Sequence, residues 1–173
     1  MDRHVELLSP EAVAGRIEAL AEAVAPRIDD ETVAVVLLTG AIWFAADLLR
    51  ALDRRGVRPL FDALWLSSYA DEKASSGTVV VRAGLQRPVA GRKVLLLDDV
   101  VESGLSLVEA ARLMREAGAS EVLSAVFACK PWPKGRLLEP DFAGWQAPDR
   151  FLVGYGMDVA GRLRGMGSIA AIE

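Results

Sequence analysis

Apolar positions along this chain alternate between a helical and a strand period. In "SPEAVAGRIEALAEAVAPRI", Val13, Ile17, Leu20 and Val24 recur every three or four residues, which predicts an amphipathic helix. Ser9 is its natural N-cap and Pro10 occupies the first helical position. "TVAVVLL" (32–38) is a continuous apolar, largely β-branched run ahead of Gly40 and predicts a strand covered on both faces. "AIWFAADLLRALDRR" predicts a helix stopped by Gly56, and "VRPLFDALWLSSY" a second strand with Pro59 near its start. "ADEKASSGTVVVRAG" reads as a loop or hairpin feeding a short strand over 79–81. "RKVLLLDD" is a strand, "SLVEAARLMREAGA" a helix ended by Gly118, "EVLSAVFACK" a strand and "RFLVGYGMDV" a last short strand. Strands alternating with helices predict an α/β fold with a largely parallel central sheet flanked by helices.

Composition narrows the setting. A chain of 173 residues, 52% apolar and 25% charged, suits one globular domain over 1–173. The net charge of −4 argues against a nucleic-acid partner. No apolar run approaches the roughly 20 residues that span a bilayer, and no leader pattern opens the chain, so no membrane partner and a cytoplasmic location are expected. A lone cysteine, Cys129, excludes an internal disulfide and a cysteine-based zinc cluster, and reads as a buried thiol. The single histidine, His4, lies near what reads as a flexible start, so histidine-dependent catalysis is not expected.

The candidate chemistry lies in "VLLLDDVVESGLSL" (94–107). A buried strand runs into the paired acids Asp98 and Asp99, a third acid follows at Glu102, and a Ser-Gly-x-Ser turn opens a helix. Ligands of open α/β sheets bind beyond the carboxyl ends of the strands. Free N–H groups at a helix start cradle phosphate, which makes Ser103, Gly104 and Ser106 candidate phosphate ligands. Paired carboxylates repel phosphate, but they suit sugar hydroxyls or a hydrated Mg²⁺. Together these features describe a site for a phosphorylated sugar.

The same stretch resembles the phosphoribosyl pyrophosphate motif of type I phosphoribosyltransferases. Further segments resemble the hypoxanthine-guanine branch of that family: "VVLLTGAIWFAADLLRAL", "LSSYADEKASSGTV", "VFACKPWPKGR" and "FLVGYGMDVAGRLRGMGSIAAI". The order holds over roughly residues 8 to 173. The resemblance implies the type I phosphoribosyltransferase fold, with a small hood from the terminal segments, and an assembly into a homodimer or homotetramer. It implies transfer of ribose 5-phosphate from phosphoribosyl pyrophosphate to a 6-oxopurine, hypoxanthine and possibly guanine, with Mg²⁺ as cofactor. Asp98 and Asp99 would hold the ribose hydroxyls. Glu102, Ser103, Gly104, Leu105 and Ser106 would surround the 5-phosphate. Thr39 and Gly40 would meet pyrophosphate through their amides, with Arg164 beside them. Lys130 would donate to the purine O6, Phe151 would stack on the ring, and Leu152 would offer backbone groups to the base edge. Asp158 would lie by the base and by the metal, together with Asp98 and Asp99. Ser68 and Tyr69 would belong to a mobile loop that closes over the reacting centre. Taken alone, Lys130 reads as a surface lysine and Phe151 equally well as core. Trp43 and Trp65 read as core or subunit interface.

Three positions depart from the family pattern. Glu102 stands where the family has a catalytic Asp, Thr39 where its first loop has Lys, and Asp98 where Glu is more usual. An extra methylene shifts a carboxylate by about 1 Å, and misplacement on that scale can slow catalysis by about 100-fold. Two alternatives therefore stay open: a weakly active or non-catalytic nucleotide-binding regulator, and a phosphoribosyltransferase for another base.

Overall fold

The computed structural model describes residues 3–69 and 78–173, with the side chains at 68, 69 and 78 left aside. The apolar runs read from the sequence form a six-stranded sheet in the order β4-β3-β2-β5-β6-β7. Its strands are β2 (Val33–Leu38), β3 (Leu60–Tyr69), β4 (Thr78–Ala83), β5 (Lys93–Val101), β6 (Glu121–Cys129) and β7 (Phe142–Gln146). All neighbours run parallel except β4, which returns antiparallel along β3.

The sheet divides the core into two layers, as the two-residue period of a strand requires. Ala34 and Val36 of β2, Leu95 and Leu97 of β5, and Phe127 of β6 pack on one side with α1 (Pro10–Val24) and α2 (Ile42–Arg54). Val33, Val35, Leu37, Val94, Leu96 and Val126 pack on the other side against α3 (Leu105–Glu116). The α1 cap is the expected one, with the Ala12 N–H donating to Ser9 Oγ at 3.2 Å and Pro10 in the first turn. Gly56 lies past the end of α2 with φ +79°, a left-handed conformation that glycine adopts without strain.

A second, three-stranded sheet forms the hood expected from the terminal segments. β1 (His4–Leu8) pairs antiparallel with β9 (Ile169–Ile172), and β9 pairs with β8 (Leu152–Val153). The Glu173 N–H donates to the Arg3 carbonyl at 2.9 Å, so the two ends of the described chain run side by side.

Several sequence expectations need correction. His4 does not sit in a flexible start but opens β1 opposite Ile172. The expected strand over "RFLVGYGMDV" shrinks to Leu152–Val153 and joins the hood rather than the central sheet. Beyond it Gly154, Tyr155 and Gly156 all take positive φ, which ends the extended conformation. β5 does not end at the acid pair but continues to Val101, which pairs with Cys129. β7 has no clear apolar run of its own; it is anchored where Asp141 Oδ2 accepts from the Ser124 N–H of β6 at 2.8 Å.

Candidate active site

The carboxyl ends of β5 and β6 carry the site. Because successive residues of a strand face opposite ways, Asp98 and Asp99 face different cavities. Asp98 lines a cavity of about 400 Å³ with Val100, Glu102, Ser103, Gly104, Leu105 and Ser106. Asp99 lines one of about 210 Å³ with Val100, Glu102, Lys130, Phe151, Leu152, Met157, Asp158 and Arg164. Val100 and Glu102 belong to both walls, so the two cavities adjoin across the strand end.

The turn expected to meet phosphate lines the first cavity. Gly104 holds φ +82° ahead of α3, and the Leu105 N–H donates to Ser103 Oγ at 3.3 Å. The amides at the start of α3 lack carbonyls one turn back, and the positive end of the helix dipole adds to them. Those amides suit a dianionic phosphate at the Ser103–Ser106 end, away from the Asp98 and Glu102 carboxylates of the same lining.

The acid pair is part-buried. The Asp99 N–H donates to Asp98 Oδ1 at 3.0 Å, and the Val100 N–H to Asp99 Oδ1 at 2.9 Å. Withdrawal from water, and then the neighbouring Asp99 charge, hold the Asp98 carboxyl well above the ordinary carboxylate range. Withdrawal from water also raises Asp99, although its neighbour's hydrogen bond and the Arg164 charge pull the other way. The pair therefore surrenders its second proton reluctantly. Hydrogen-bond donors such as ribose hydroxyls, or a divalent cation, would relieve it.

In the second cavity, Lys130 Nζ donates to Glu102 Oε1 at 2.6 Å. The Lys130 side chain is only 11% exposed, so it is no ordinary surface lysine. Phe151 is 55% exposed and presents its ring to the cavity rather than to the core. Arg164 donates to the Gly156 carbonyl at 2.5 Å and pairs with Asp158 Oδ1 at 2.7 Å, while Asp158 Oδ2 accepts from the Gly161 N–H at 2.6 Å.

Glycine at two positions makes this packing possible. A side-chain carbon on Gly40 would lie 2.0 Å from Asp99 Oδ2 and 3.3 Å from an Arg164 nitrogen. One on Gly156, whose φ is +97°, would lie 1.8 Å from the Gly40 carbonyl oxygen. The first loop, the acid pair and the C-terminal segment thus meet at Gly40. Thr39 is exposed and lines neither cavity, so of the two first-loop residues only Gly40 is gathered into the site. Ser68 and Tyr69 close β3 by their backbone; their side chains and the loop over 70–77 lie outside the described residues.

Among the described residues no cluster of three or more His, Cys, Asp or Glu could hold a metal by itself. The donors do fit a Mg²⁺ that takes one or two carboxylates and completes its shell with phosphate and water. Asp98 and Asp99 meet that description, whereas both oxygens of Asp158 are engaged by Arg164 and Gly161.

Comparison with known proteins agrees with this geometry. The phosphoribosyl transferase domain family matches residues 6–160. The hypoxanthine-guanine phosphoribosyltransferase of Bacillus subtilis is 32% identical over 168 residues, covering 96% of this chain and 92% of that protein. The chain belongs to this family. Its relative of the same name from Aquifex aeolicus is 34% identical, over 88% of this chain and 85% of the other. The fold of this phosphoribosyltransferase family member matches that of a Staphylococcus aureus hypoxanthine phosphoribosyltransferase with a TM-score of 0.88 at 24% identity, over 98% and 91% of the two chains.

The sequence pattern gives no signal for Met157, which lines the second cavity, or for Arg136, whose side chain is only 7% exposed and donates to the Glu102 and Lys130 carbonyls. Met157 falls inside a segment read as strand, and Arg136 follows a Pro- and Gly-bearing stretch with no periodic pattern.

Proposed function

We propose that residues 1–173 form one phosphoribosyltransferase domain that transfers ribose 5-phosphate from phosphoribosyl pyrophosphate to a 6-oxopurine. The products are the nucleoside monophosphate and pyrophosphate. The observation that carries the reading is the convergence of Asp99, Glu102, Lys130, Phe151 and Arg164 on one cavity that shares a wall with the phosphate turn.

The 5-phosphate sits on the Ser103–Ser106 amides, and the ribose lies across the end of β5 with its hydroxyls donating to Asp98 and Asp99. The purine enters the second cavity against Phe151. Lys130 and Glu102, paired at 2.6 Å, present a cation and a carboxylate side by side. On one edge of a 6-oxopurine, O6 is an acceptor and an N7–H is a donor, so the two side chains match that edge in order. As the C1′–oxygen bond to pyrophosphate breaks and the N9–C1′ bond forms, the N7 proton passes to Glu102. Arg164 turns its planar fork to the departing pyrophosphate. Asp98 and Asp99 would hold a Mg²⁺, which would supply neutralising charge for that leaving group. The oxocarbenium-like centre needs water excluded, a task for the loop to which the family resemblance assigns Ser68 and Tyr69.

The exposed Phe61 and Trp65 on one face of β3 support assembly into a homodimer or homotetramer, which sedimentation would measure. No helix among the described residues is long and apolar enough to cross a membrane. The reading is tested by incubating the protein with phosphoribosyl pyrophosphate, Mg²⁺ and hypoxanthine, guanine or xanthine in turn. Release of nucleoside monophosphate from at least one base is expected, and no product from any of the three overturns the reading.

A further inference from the structure

Glu102 and Lys130 each stand one residue beyond the last paired positions of two adjacent parallel strands, Val101 and Cys129. Their amide and carbonyl groups therefore run past the sheet ladder. The Lys130 N–H still reaches the Val101 carbonyl at 3.1 Å, but the Glu102 and Lys130 carbonyls point beyond it. One guanidinium takes both. Arg136 Nε donates to the Glu102 carbonyl at 2.7 Å, and another of its nitrogens donates to the Lys130 carbonyl. The remaining nitrogen meets Glu139 Oε2 at 2.6 Å, which aims the fork. The Arg136 side chain is only 7% exposed.

The segment carrying Arg136 also lies against the phosphate turn. The Leu137 N–H donates to the Ser103 carbonyl at 2.8 Å. A side-chain carbon on Gly104 would fall 2.9 Å from the Leu138 carbonyl oxygen and 3.0 Å from Arg136 Cγ. One buried cation thus ties together the backbone of the two residues whose side chains face the base edge.

We propose that Arg136 is a positioning residue for base recognition, fixing the spacing of the Glu102 carboxylate and the Lys130 ammonium through their own carbonyls. It touches no reacting atom. The inference rests on the functional reading above. Arginine is suited to the task because its planar fork reaches several acceptors at fixed angles, whereas a lysine reaches one of them at a time.

Arg136→Lys keeps the charge and most of the packing, and Arg136→Met keeps only the packing. With hypoxanthine and phosphoribosyl pyrophosphate varied separately, Arg136→Lys is expected to raise KM for the purine about 10-fold and to lower kcat, since reacting groups displaced by a fraction of an ångström lose catalysis steeply. KM for phosphoribosyl pyrophosphate should rise by a clearly smaller factor, because Asp98, Asp99 and Arg164 lie outside the reach of the fork and only the phosphate turn lies against its segment. Amide hydrogen exchange gives a readout independent of activity. The Lys130 and Leu137 amides should lose protection together in Arg136→Lys while the amides of β2 keep theirs. A change in kcat/KM for the purine below about threefold, equal rises in both KM values, or unchanged exchange at Lys130 and Leu137 overturns the proposal. Should Arg136→Met fail to fold, Arg136→Lys alone decides. If the unaltered protein acts on no purine, the functional reading falls while the exchange measurement still judges the role of Arg136.

Discussion

Replacing Asp98 with Asn should make the ligand-free protein more stable and a poorer binder of phosphoribosyl pyrophosphate. Two unit charges about 4 Å apart repel by about 4 kcal/mol in an effective dielectric of 20, which bounds the cost of ionising both acids. The pair avoids part of that cost by keeping a proton, as the raised Asp98 and Asp99 carboxyls indicate. A gain of about 1 to 2 kcal/mol is therefore expected near neutral pH, or roughly 2 to 8 °C in Tm for a chain of this size. The asparagine oxygen still accepts from the Asp99 N–H, so the backbone keeps its 3.0 Å bond. The sign in pH follows from linkage. In the folded state the pair holds a proton that the unfolded chain has already lost, so the unfolded state binds fewer protons and stability falls as pH rises through the pair's range. Carboxyls held low by partners, such as Glu109 beside Arg112, are ionised in both states above about pH 5 and add no slope there. Thermal unfolding from pH 5 to 8 should show a declining Tm in the unaltered protein and a flatter, higher curve for Asp98→Asn. A lower Tm with an undiminished slope would refute the shared-proton account.

Glu102→Gln removes the proton acceptor and should lower kcat by about 100-fold or more, with KM for phosphoribosyl pyrophosphate little changed in steady-state assays. Lys130→Ala loses a charge-assisted bond of about 1.5 to 3 kcal/mol and should cut kcat/KM for hypoxanthine by about 10- to 150-fold, as initial rates at low base will show. Phe151→Ala should raise KM for the base several-fold with Tm nearly unchanged, because the ring is 55% exposed and contributes little to the core. Gly156→Ala sets a methyl group against the Gly40 carbonyl at a φ of +97°, so calorimetry should find it destabilised by about 2 kcal/mol or more, with pyrophosphate-side binding weakened alongside.

The parts of this molecule legible in the sequence are those whose physics is local. The stretch 94–107 announces itself because a buried strand, an acid pair and a Ser-Gly turn each have a cause within a few residues. α1 is equally plain, since its period and its Ser9–Pro10 start agree. The hood is harder to read. β8 spans two residues and β9 four, too few for a period; β9 depends on a partner at the far end of the described chain, β1, and β8 in turn depends on β9. β7 hides for the same reason, held through the carboxylate of Asp141 rather than by its own pattern. Of the site, residue types foretell Lys130 and Phe151 only through resemblance to a family; burial and exposure then separate them from a surface lysine and a core phenylalanine. The opposite facing of Asp98 and Asp99 follows once β5 continues past them, which the charge pattern conceals.

The pairing of β1, β9 and β8 also sets an order in time. The turn at Ser103–Ser106 and the strands β2, β3 and β5 precede β6 to β9 in the chain, so those strands can pair before the later ones emerge. The wall proposed to face the base includes Leu152, whose strand is held by Ala170 and Ala171 of β9. During synthesis the strands of the proposed sugar-phosphate half can therefore pair first, while the wall proposed to face the purine waits for β9.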